Sequence, residues 1–172
     1  MTVNALPSNE YGSFYANYIS LVPEGMTVVR ALEDSKDSLL AYLENVGDDR
    51  QDFAYAPRKW TIKQSLQHII DTDRIFAYRA LRLARHDATP LPGFEQDDYA
   101  AHADLSAIRL TDLITEFSQH RLSMQSMFSG FTGEDLRFTG TVSNHPMSCR
   151  AMGFIIAGHT FHHRSVFDRL YL

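Results

Sequence analysis

The last third of the chain carries the residues best suited to chemistry: Gly158-His159-Thr160-Phe161-His162-His163-Arg164. Two histidines four residues apart stand one above the other on a helix face, so His159 and His163 present two imidazoles to one point. Their neighbours at helical spacing are Met152, Ile155, Val166 and Leu170, which places the pair in the middle of an apolar stripe. Imidazoles are costly there unless something satisfies them, and a divalent metal ion satisfies both at once. A single histidine on such a stripe is more simply a hydrogen-bonded core residue; two at this spacing are harder to explain that way. His162 lies on the same broad side but further from the stripe centre, which suits a pocket-lining role.

A third ligand has to come from another helix. His68 is the best candidate, although the apolar stripe of its segment (Leu66, Ile70, Ala77, Leu81 and Ala84) leaves it off centre, on the side of Asp71, Ile75, Arg79 and Arg82. Either the metal lies in an open cleft at the edge of the fold, or His68 is a solvated residue. Three neutral imidazoles leave at least one coordination position open, as in catalytic sites, and Zn, Ni or Fe(II) all accept such ligands.

Helical periodicity accounts for the elements that must position these residues. Phe14 to Leu21 reads as a short docking helix ending near Pro23. A first long helix runs from about Thr27 to Val46. A second runs from Trp60-Thr61 to about Arg85, with Thr61 and Gln64 as a capping box. Residues 87–104 hold Pro90, Pro92, Gly93 and several acids and form a long connection. A third helix covers roughly Ser106 to Ser129. Gly130, Gly133, Gly140 and Pro146 mark irregular chain, no strand is expected, and a fourth helix starts after Ser148 as N-cap. Four amphipathic helices in 172 residues predict one all-α domain, residues 1–172, a four-helix bundle with a long crossover between helices 2 and 3.

Composition narrows the functions. A net charge of -5 and a pI of about 5.9, with no basic run among aromatics, argue against nucleic acid. No apolar stretch suits a bilayer, and the start lacks a secretory pattern. One cysteine, Cys149, fits a reducing compartment, so a cytoplasmic location is expected. A zincin needs glutamate where Thr160 stands, a di-iron bundle needs paired Glu-x-x-His motifs, and neither pattern is present.

Arg58-Lys59-Trp60 through His68 to Asp71, Arg74, Arg79 and Asp87, followed by Leu91-Pro92-Gly93-Phe94, Gln96-Asp97-Asp98-Tyr99 and Ala157-Gly158-His159 with His162-His163, resemble the DinB-like superfamily along nearly the whole chain. That metal-binding bundle superfamily also contains bacillithiol and mycothiol S-transferases. The resemblance implies a histidine triad of His68, His159 and His163, an open site for one divalent metal, the crossover topology and often a homodimer. It further implies a small-molecule substrate, with a low-molecular-weight thiol activated by the metal. A metal-dependent hydrolase and a non-catalytic metal- or ligand-binding bundle are the alternatives. Two departures stand out: Thr160 where many relatives carry an acid, which questions a general base beside the metal, and Arg58 where many have glycine, which concerns a turn.

Several other residues have a functional and a plain reading. Asp71 can orient a ligand or simply pair with Arg74. Arg79 can attract an anionic substrate, with a solvated arginine slightly favoured. Asp73 lies within the stripe and calls for a buried partner such as Arg121. Cys149 reads as a buried inert thiol, and His86, His102, His120 and His145 as surface residues.

Overall fold

A computed structural model describes Met1–Tyr171. Seven helices occur among these residues: α1 Ala16–Ile19, α2 Val28–Leu43, α3 Ile62–Ala84, α4 Gln96–His102, α5 Leu110–Ser129, α6 Gly133–Arg137 and α7 Cys149–Leu170. A hairpin of β1 Thr139–Val142 and β2 His145–Ser148 precedes α7. The helix starts follow from side-chain capping. Thr61 accepts from the Gln64 amide while the Gln64 side chain accepts from the Thr61 amide, and Ser148 accepts from the Ala151 amide, so donors that no helical carbonyl can reach are paired.

The long helices α2, α3, α5 and α7 form the bundle. Both α7 and α5 pack between α2 and α3 on opposite sides, so the consecutive helices α2 and α3 stand at diagonal corners. Lys63 at the start of α3 donates to the Leu105 and Ile108 carbonyls just before α5, and mid-helix Asp73 meets mid-helix Arg121. α3 and α5 therefore run parallel, and the chain between them must return the length of the bundle. This is the expected crossover, and α4 lies within it. Among the described residues no helix is long and apolar enough to cross a membrane.

The hairpin corrects the expectation of irregular chain. Ser143 and Asn144 both have positive φ, 50° and 65°, which a tight hairpin turn of the I′ kind requires. Its function in the fold is to anchor the crossover. The Leu91 amide donates to the Thr141 carbonyl and the Ser143 amide to the Leu91 carbonyl, each at 2.9 Å. Phe94, Glu95, Gln96 and Asp97 are thereby delivered to one side of α3. α5 begins at Leu110 rather than near Ser106, and Leu81, expected in the core, is 38% exposed.

Arg121 and Asp73 are both fully buried and paired, Nε to Oδ2 at 2.5 Å and Nη2 to Oδ1 at 3.2 Å. The same guanidinium donates to Ser35 Oγ on α2, and on α7 to the Ile156 carbonyl and the Thr160 hydroxyl. One side chain thus ties four helices together, one residue away from His159. Cys149 is fully buried, and burial pushes its thiol up to about 12.

Candidate metal centre

α7 is buried on every side from Cys149 to Thr160, so its middle is the bundle's interior rather than one face of it. Gly158 makes a close approach possible there. A Cβ at this position would collide with the Tyr18 carbonyl of α1. With glycine in place, the Tyr18 ring stands edge-on to His159, centroids 5.4 Å apart, and to His162 at 5.5 Å.

His68, His159 and His163 converge. His68 Nε2 lies 3.1 Å from His159 Nε2, and His163 Nε2 lies 3.0 Å from the same atom; the three ligand atoms fall within 4.8 Å of one another. His68 is only 6% and His159 4% exposed, and His163 is half-buried. The solvated alternative for His68 is thus corrected. α3 carries a second buried row, His68, Thr72, Phe76 and Arg79, which the crossover and the α1 segment cover. Apolar periodicity misses that row because three of its four residues are polar. Trp60 lies over His68 with centroids 4.7 Å apart.

Desolvation lowers the pKa of each imidazole, taking His68 to about 4 against the opposing charge of Asp97, and His159 and His163 well below their ordinary value. Neutral rings are the ligating form. The donor set fits a divalent ion on a second ground. His159 Nε2 has one in-plane site, so a single N–H···N hydrogen bond can explain only one of its two short contacts. A shared cation explains both, since nitrogens around one tetrahedral ion lie roughly 3.3 Å apart. His159 Nδ1 is buried with no hydrogen-bond partner among the described residues, and the Tyr18 ring packs against that imidazole.

Two cavities flank the cluster. One of about 310 Å³ touches His68 and His159 and is walled by Phe14, Tyr15, Tyr18, Phe76 and Phe94, with Glu95, Gln96 and Asp97 at its edge. The other, about 400 Å³, touches His162 and His163 and is bordered by Tyr55, Arg58, Lys59, Trp60 and Asp97. His162 therefore lines a pocket and stays outside the cluster. Asp71 accepts from Gln67 at 2.9 Å, with Arg74 3.8 Å away, which is the plain reading. Arg79 is buried, not solvated as favoured. It donates to the Pro92 carbonyl at 2.6 Å and its guanidinium sits over the Phe76 and Phe94 rings. It holds the crossover to α3, a role that only the crossover's path reveals.

Among solved structures, YfiT from Bacillus subtilis, described as a probable metal-dependent hydrolase with an unusual four-helix bundle topology, superposes with a TM-score of 0.74 over 83% of each chain at 14% identity. That likeness shows the four-helix-bundle fold. No curated protein matches the chain. A family model, that of the DinB superfamily, matches residues 31–167, and the chain belongs to this superfamily.

Proposed function

We propose that His68, His159 and His163 hold one divalent metal ion and that the protein is an enzyme acting there on small molecules, by thiol S-transfer. The observation that carries this reading is the convergence of three desolvated, neutral imidazoles through their Nε2 atoms between two cavities. Zn, Ni and Fe(II) all suit the donors. When bound, such an ion lowers the pKa of a thiol or water beside it and so supplies a nucleophile at neutral pH.

The chain's own residues do the rest. Tyr18 and Trp60 pack against the cluster and limit water around it. The Phe76 and Phe94 walls accept the apolar part of an electrophile. Thr160, beside His159, is engaged with Arg121 and the Ile156 carbonyl, and no carboxylate among the described residues belongs to the cluster. A thiol ionises more readily than water and needs the least help from a base, which favours thiol chemistry. Hydrolysis is the second reading, supported by the description of YfiT and by Asp97, whose charge bears on His68 from the edge of both cavities.

The test incubates metal-loaded protein with bacillithiol-like and glutathione-like thiols and an aryl electrophile, and in parallel with activated esters. The expected outcome is metal-dependent conjugate formation that His159→Ala abolishes. Ester turnover without conjugates moves the assignment to a hydrolase, and neither reaction in stoichiometrically loaded protein leaves a metal-binding bundle. A homodimer and a cytoplasmic location belong to the same proposal; sedimentation equilibrium reads the first.

A further inference from the structure

Arg58 has a φ of 63°. In that left-handed region a Cβ crowds the backbone, and residues other than glycine, asparagine and aspartate are uncommon. Such strain persists where the surroundings and a function hold it. Glycine would meet the needs of this turn with less strain, so the turn alone does not explain the arginine. Arg58 and Lys59 both border the 400 Å³ cavity that reaches His163. Several arginines of the chain have carboxylate partners, such as Arg121 with Asp73, Arg150 with Glu10 and Arg109 with Asp112, and Arg79 bonds the Pro92 carbonyl. Among the described residues neither the Arg58 guanidinium nor the Lys59 ammonium has one. Two uncommitted cations therefore belong to the border of a cavity in which, among the described residues, the one side-chain carboxylate, Asp97, is outnumbered. Across the histidines lies the aromatic cavity of Tyr18, Phe76 and Phe94.

We infer that Arg58 and Lys59 form an anion subsite. The substrate carries a carboxylate or phosphate group seated beside His163, and its apolar part lies in the aromatic cavity beside His159. The place of reaction rests on the proposed metal centre; the anion subsite rests on Arg58 and Lys59 themselves. A planar guanidinium grips either oxyanion through paired N–H donors, and both cations are exposed, so the attraction weakens as salt rises.

The experiment titrates the full chain, zinc-loaded and chelator-treated, with 3-phenylpropionate, phenethyl phosphate and 3-phenylpropan-1-ol, following binding by calorimetry and zinc content in the same samples. At least one anion should bind about tenfold more tightly than the alcohol, with or without zinc, and the advantage should shrink at high salt. Comparison of the two anions tells carboxylate from phosphate. Arg58→Gly should keep or raise the melting temperature, since it relieves the left-handed strain, yet lose most of the anion preference; Lys59→Ala should lose part of it. A merely structural arginine would not separate stability from affinity in this way. Equal binding of anions and alcohol, or Arg58→Gly protein that binds anions as the wild type does, overturns the proposal, even when zinc is stoichiometric. If zinc never binds but the Arg58-dependent preference persists, the metal centre fails and the anion subsite stands.

Discussion

Removing the Asp73 carboxylate tests the bundle's interior most severely. Both members of the Asp73–Arg121 pair are fully buried. In Asp73→Ala the guanidinium keeps Ser35 Oγ, the Ile156 carbonyl and the Thr160 hydroxyl, but these neutral acceptors do not balance its charge. Stripping one partner from a buried pair costs about 3–5 kcal/mol. For a chain of this length that is a fall in melting temperature of roughly 6–20 °C. Urea unfolding of metal-free protein, followed by far-UV circular dichroism, should show the lower midpoint with an unchanged slope. The double variant Asp73→Leu/Arg121→Met removes both charges, and the remaining hydroxyls stay bonded, Ser35 to the Leu32 carbonyl and Thr160 to the Ile156 carbonyl. It should match or exceed the wild type, because an apolar replacement avoids the cost of desolvating two ions. A loss below about 1 kcal/mol in Asp73→Ala, or a double variant weaker than the single one, would refute the reasoning.

Acid should act through the histidines. Their folded pKa values are lowered by desolvation, His68 to about 4, so on acidification the unfolded chain takes up protons first. The stability that His68 confers is complete above about 6.5 and is lost as pH falls towards about 4, and His159 and His163 act in the same direction. His68 alone accounts for about 3 kcal/mol; chemical denaturation of metal-free protein at stepped pH should show a shallower acid loss in His68→Gln than in wild type. Gly158→Ala drives a methyl into the Tyr18 carbonyl. It should cost about 1–3 kcal/mol by overpacking and loosen metal retention by displacing the Tyr18 ring, which thermal melts and dialysis against a chelator would measure together.

The helices and caps were legible because local chemistry dictates them: Thr61 with Gln64 and Ser148 with the Ala151 amide act within four residues. The His159–His163 pair was legible for the same reason, as was the need of Asp73 for a buried partner. What escaped depends on chain that is distant in sequence. His68 and Arg79 are buried by the crossover and the α1 segment, which no periodicity within α3 records. The hairpin escaped because its strands are four residues each, with no regular alternation of buried and exposed positions, and turn at Ser143-Asn144. In the sequence Arg58 reads as a turn residue, and only its backbone angle together with the cavity beside it points to an anion.

The central claim is that three histidines share one ion, and metal analysis of the purified full chain tests it most directly. The account predicts about one divalent ion per chain, mostly lost in each of His68→Ala, His159→Ala and His163→Ala and retained in His162→Ala. Full occupancy in His68→Ala would contradict it.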